Sequence, residues 1–135
     1  PGMVIPQQIR FTTSIEEACE NKDVVIFAVP SVFVRSTASK ASPYISDDQI
    51  IVDVGKGIET DTLLTLSEVI KDELQKGGTH QNIKLVALSG PTHAEEVALD
   101  MPTLIVSACV QISKSQRRFR TFSPTPVCMC IRTLM

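Results

Sequence analysis

"QIIVDVGKGIETDT" occupies residues 49–62, and its reading decides the fold. Residues 50–54, four of them Ile or Val, read as a strand covered on both faces. Immediately past the last apolar residue, Lys56 stands between Gly55 and Gly57. Glycine permits positive φ and lets a ligand approach the backbone. The lysine between them is either a solvated turn residue or a point charge for an anion. The flanking sequence has to decide between these readings.

Three more apolar runs stand at strand-like spacing: residues 24–29 ("VVIFAV"), 84–88 ("KLVAL") and 103–107 ("TLIVS"). Between the runs lie helical patterns. Ser14-Ile15-Glu16-Glu17 fits a capping box opening a short helix to about Asn21. Residues 31–42 form a weaker helix. Residues 62–75 carry an apolar stripe at 63, 66, 69, 70 and 74 and stop at Gly77-Gly78. A further short helix is expected over residues 91–99. Strand and helix in alternation predict an α/β fold with a parallel sheet and right-handed crossovers. Ligands bind such sheets outside the carboxyl ends of the strands. That rule brings three segments to one edge: Pro30-Ser31-Val32-Phe33, Gly55-Lys56-Gly57, and Ser89-Gly90-Pro91-Thr92-His93-Ala94.

Composition narrows the class. With 135 residues, 43% hydrophobic and 21% charged, the chain suits one globular domain and not a disordered segment. No apolar run approaches the ~18 residues of a membrane span, so membrane insertion is not expected. "PGMVIPQQIR" has no signal-peptide pattern and does not begin with methionine, which reads as a processed chain or a fragment. Residues 1–110 carry all 15 acidic residues and 8 of the 13 basic ones; residues 111–135 carry the other 5 and no acid. An acidic body argues against a nucleic-acid surface there. Cys128-Met129-Cys130 lacks the two-residue gap of the usual zinc and redox pairs, so no metal site is expected.

"SGPTHAEEVA" (residues 89–98) reads as a strand-to-helix turn in which Gly90 permits close approach and Thr92 can cap. Such a helix start attracts anions, although taken by itself it reads better as an ordinary cap with Glu95 and Glu96 complementing the dipole. A lysine at the adjacent strand end favours a cradle for a phosphate or a reacting carbonyl. His93 and His80 are given no role, Phe33 taken alone reads more readily as a core residue than as a stacking one, and Asp53 is expected to make a local hydrogen bond.

Pro1-Gly2, Ile5-Pro6, "FTTSIEEA", "DVVIFAVPSVF", "VGKGIE", "LSEVI" and "LSGPTHAEEVA" follow one another as in the NAD-dependent glycerol-3-phosphate dehydrogenases, and the chain resembles their bacterial branch over residues 1–108. The resemblance implies a partial Rossmann-like, doubly wound parallel sheet that lacks the first glycine-rich βα unit. It implies NAD or NADP as cofactor, and dihydroxyacetone phosphate and glycerol 3-phosphate as substrate and product. By resemblance Lys56 is catalytic and contacts both substrate and cofactor, Gly90 and Thr92 contact substrate, and Phe33 and Ala94 contact the dinucleotide. It further implies a cytoplasmic homo-oligomer that supplies a phospholipid precursor.

Three departures accompany the resemblance. The G-x-G-x-x-G that holds pyrophosphate in the family is absent from the sequence, as is the helical domain carrying the family's second catalytic lysine. Residues 109–135 form a basic tail unlike the family. One permitted set of codons for residues 112–135, read one frame over, yields "AEKVQDIF" and "VYTN", the continuation the family would have. The tail is therefore read as a frameshift product, irregular and covering the sheet poorly. The isolated chain is expected to be inactive. Two alternatives stand beside this reading. One is a non-catalytic scaffold whose tail is a partner-binding arm, which deletion of residues 111–135 would disable. The other is a related dehydrogenase with a different hydroxy substrate.

Overall fold

Alternation along three short apolar strands sorts their side chains onto two faces of a sheet. The computed structural model describes residues 5–78, 80–91, 93, 95, 99, 103–109 and 128–133. In it β1 (Val24–Phe27), β2 (Ile50–Asp53) and β3 (Lys84–Ser89) run parallel, with Ile51 in register with Val25 and Leu85. Phe27, Ile51 and Leu85 face helices α1 (Ile15–Cys19), α2 (Ser31–Ala41) and α3 (Leu66–Gln75) and share one buried cluster with them. Ile50, Val52 and Val86 form a smaller cluster on the opposite face.

Each helix presents an apolar stripe of helical period. On α2 it is Val34, Ala38 and Ala41, whose small side chains let the helix lie close to its neighbours. On α3 it is Leu66, Val69, Ile70 and Leu74, all buried. Fully burying one such side chain stabilises the fold by roughly 1.5–3 kcal/mol.

Local chemistry moves two helix boundaries from where periodicity alone sets them. α3 begins at Leu66, because Thr65 and Glu68 complete a reciprocal capping box at that point. Residues 62–64 belong instead to a loop closed by an antiparallel bridge between Ile58 and Thr65. Leu63, on the expected stripe, has φ +58° and a side chain 72% exposed. α1 ends at Cys19, and Asn21 follows in the left-handed region at φ 56°. Ser14 caps α1 by accepting from the Glu17 N–H, but the Glu17 carboxylate accepts from the Thr12 hydroxyl rather than closing the box.

The all-parallel expectation needs correction at the fourth strand. β4 (Thr103–Cys109) runs antiparallel to β3, pairing Ser89 with Val106 and Val86 with Cys109. A continuous apolar run reads the same in either direction, so burial pattern carried no polarity. Geometrically, β4 enters at the edge where β3 leaves, and the chain between them need not cross the sheet. The tail expectation changes as well, since six of its residues, Cys128–Thr133, form β5 parallel to β4. Cys128, Met129, Cys130 and Ile131 make its first four residues an apolar run, which suits a strand beside β4. The sheet order is β1-β2-β3-β4-β5. The helix expected over 91–99 lies outside the described residues except at Pro91, His93, Glu95 and Leu99.

Candidate functional site

Because β1, β2 and β3 are parallel, their carboxyl ends share one edge, as the strand–helix alternation predicts. A cavity of about 360 Å³ opens there. The end of β2 contributes Asp53, Gly55, Lys56 and Gly57; the start of α3 contributes Thr65, Leu66 and Ser67; the end of β3 contributes Ala87, Leu88, Ser89 and Gly90. Lys56 and Gly90, singled out separately in the sequence, therefore line one space. Phe33 sits in the first turn of α2 at the same edge, 57% exposed, and is not part of this lining. Thr92 and Ala94 lie outside the described residues.

The two glycines beside Lys56 have different causes. A Cβ on Gly55 would stand 2.7 Å from Leu66 Cδ1 and 3.0 Å from Asp53 Oδ1, so this position is glycine because α3 packs onto it. Gly57 has φ +122°, a conformation that L side chains rarely adopt, while the space around it is open apart from Ser31 Cβ at 3.9 Å. One glycine lets the helix close on the turn, and the other lets the chain reverse after the lysine.

Asp53 behaves as the sequence predicts and does more besides. Only 4% exposed, its Oδ1 accepts the Gly55 N–H at 2.9 Å and its Oδ2 accepts the Ser67 hydroxyl at 2.6 Å. Ser67 stands in the first turn of α3, where a carboxylate meets the positive end of the helix dipole. Ser67 carried no motif, so only the fold reveals it.

Arg35 was also missed, as a single charge on a weakly patterned helix. It joins α2 to the loop that follows Lys56 and to α3, with bonds to Glu59, Asp72 and Glu73 of 2.6–2.7 Å. The Arg35 bonds hold the Glu59 carboxyl down to about 2 and depress Asp72; Glu73 is depressed by Lys76 first and then Arg35.

His80 lies away from this edge, near the starts of β2 and β3. It is 8% exposed, with Nδ1 3.2 Å from Asp47 Oδ1 and Nε2 3.0 Å from the Ser42 carbonyl oxygen. It borders a second cavity of about 470 Å³ with Ser39, Ser42, Glu73 and Lys76. Its polar surroundings in the sequence gave no sign of burial.

The profile of the NAD-dependent glycerol-3-phosphate dehydrogenase N-terminus matches residues 1–115. The chain belongs to this family. It is 69% identical over 109 residues to a glycerol-3-phosphate dehydrogenase [NAD(P)+] 2 of Lactobacillus delbrueckii subsp. bulgaricus, covering 81% of this chain and 32% of that protein. It is 46% identical over 107 residues to a glycerol-3-phosphate dehydrogenase [NAD(P)+] of Agathobacter rectalis, covering 79% and 30%. The chain thus spans about a third of the length of the curated relatives it matches. The fold is that of a glycerol-3-phosphate dehydrogenase crystal structure from Coxiella burnetii, with a TM-score of 0.84 at 22% identity, covering 98% of this chain and 38% of that one. The family match ends before β5, which lies wholly within the unmatched tail.

Proposed function

We propose that this chain is the part of an NAD(P)-dependent glycerol-3-phosphate dehydrogenase that presents a lysine to the carbonyl of dihydroxyacetone phosphate. The observation that carries the reading is Lys56 on its two-glycine turn, in one cavity with Ser89 and Gly90 at the carboxyl edge of the sheet. At about 360 Å³ the cavity is near the small end of ligand clefts. That size suits a three-carbon phosphate and one ring better than a whole dinucleotide. Lys56, Phe33 and Ala94 would hold the nicotinamide end of NAD(P)H, an assignment that rests on family position. No G-x-G-x-x-G is present for the pyrophosphate.

The bound dinucleotide supplies the hydride. Reduction of the carbonyl to an alcohol takes that hydride and one proton, and the Lys56 ammonium would stabilise the negative charge developing on the carbonyl oxygen by a hydrogen bond until the oxygen is protonated. Gly90 and Thr92 are assigned to the substrate, and Gly90, without a Cβ, leaves backbone accessible to the phosphate. Assignment to the cytoplasm, to a homo-oligomer and to supply of a phospholipid precursor belongs to the same proposal and rests on family membership.

Titration of the 135-residue chain with dihydroxyacetone phosphate, followed by NMR at the Gly55, Lys56 and Gly90 signals, tests the reading. Saturable shifts that Lys56→Met weakens at least about tenfold, the order of one lost charge-assisted contact, are expected. NADH oxidation by the isolated chain is expected to be absent. Binding indifferent to Lys56→Met would reject the assignment of the lysine.

A further inference from the structure

Asp53 is a buried carboxylate that the proposed reaction does not use. It ends strand β2, in register with Phe27 on one side and Ala87 on the other. Its two oxygens serve different elements: Oδ1 takes the Gly55 N–H at 2.9 Å, and Oδ2 takes the Ser67 hydroxyl at 2.6 Å. Ser67 is itself held, because the Thr65–Glu68 capping box fixes the first turn of α3. Leu66, next to Ser67 on α3, leaves no room even for a methyl group at Gly55. The backbone carrying Lys56 is thereby fastened to the strand behind it and the helix beside it.

We propose that Asp53 is a positioning residue for Lys56. Through Gly55 and Ser67 it sets the height and direction of the turn from which the lysine reaches the cavity. The inference rests on the proposed role of Lys56, but the Asp53 contacts themselves do not. A side chain that reacts well only within about 0.5 Å of its productive position needs such support from behind. Glycine on both sides leaves the backbone of this turn more conformations to lose than an ordinary residue pair would.

The test uses the 135-residue chain, with inorganic phosphate and dihydroxyacetone phosphate as probes. Three variants are compared: Asp53→Ala, Asp53→Asn and Ser67→Ala. Amide exchange at Gly55, the Lys56 side-chain NMR signals and the thermal midpoint are read for each. Asp53→Ala is expected to expose the Gly55 N–H to exchange, shift the Lys56 signals, and weaken probe binding about tenfold. Asp53→Asn keeps an acceptor for Gly55 and offers Ser67 Oγ a donor, so it should restore most of both properties at an unchanged midpoint. If Asp53→Ala does not fold, Ser67→Ala serves, releasing only the α3 tether and shifting the Lys56 signals less. Unchanged Gly55 exchange and Lys56 signals in Asp53→Ala, or in Ser67→Ala in its place, overturn the proposal. If the wild-type chain binds neither probe, the proposed function falls, and the Gly55 and Lys56 signals still decide the role of Asp53.

Discussion

Arg35 grips Glu59 with two parallel bonds, Nε to Oε1 at 2.7 Å and Nη2 to Oε2 at 2.6 Å. The same guanidinium uses Nη1 for Asp72 and Glu73 of α3. One side chain of α2 therefore pins the loop after the lysine turn and the helix after that loop. Glu59 also accepts the Thr62 hydroxyl, and its backbone N–H donates to the Leu64 carbonyl, so the loop is closed on itself as well.

Arg35→Lys should not substitute for arginine, because an ammonium cannot span three carboxylates with a planar fork. The expected outcome is a lower thermal midpoint and faster amide exchange at residues 59–64, with β2 unaffected. In a double-mutant cycle, Arg35→Ala and Glu59→Gln should be clearly non-additive, since either change alone breaks the same pair. Strict additivity would mean that the pair contributes nothing in solution.

The same cluster predicts a sign for acid sensitivity. Glu59 is held at about 2 by Arg35, below the ordinary carboxylate value near 4.3. Its contribution is therefore complete above the unfolded value and is lost as pH falls from about 4.3 through about 2. Thermal midpoints across this window should fall with pH, and Glu59→Gln should flatten the fall. Since Asp72 and Glu73 are also depressed, the flattening should be partial.

Gly55→Ala should destabilise the protein by roughly 1–3 kcal/mol, the usual cost of inserting a methyl into a filled site. The named obstacle is Leu66 Cδ1. Adding Leu66→Ala should therefore cost less in the Gly55→Ala background than in the wild type, and urea titration of the four proteins measures the difference. Gly57→Ala should destabilise through backbone strain instead, with no such rescue.

Much of this arrangement could be read from residue order. Ile/Val runs and capping signals locate β1 to β4, and the rule that ligands meet strand ends brings Lys56 and Gly90 to one edge. What escaped was information that no local pattern holds. The direction of β4 depends on where its connection returns, and the start of α3 on a capping box competing with an apolar stripe. Arg35, Ser67 and His80 acquire meaning only from partners 14 to 38 residues away. β5 went unforeseen because the composition of the tail argued against a folded segment.

Gln49 is a further residue whose role only the fold discloses. Buried just before β2, its Nε2 donates to the Cys19 carbonyl at 2.6 Å and its Oε1 accepts the Ser46 N–H at 2.8 Å. It ties the end of α1 to the entry of β2. Gln49→Leu would strand the buried Cys19 carbonyl, at a cost of about 1–3 kcal/mol, while the N–H of exposed Ser46 can turn to water. Gln49→Glu gives a sharper reading. An ionised carboxylate can still accept from Ser46 but turns its second oxygen on the Cys19 carbonyl; only the protonated acid can donate there. The folded state should therefore raise the pKa of the new carboxyl, and the variant should lose stability relative to wild type as pH rises through about 4.3 and beyond. Urea midpoints below and above that pH should show Gln49→Glu close to wild type in acid and well below it near neutrality. A gap independent of pH would mean that the Cys19 carbonyl is not what the side chain holds.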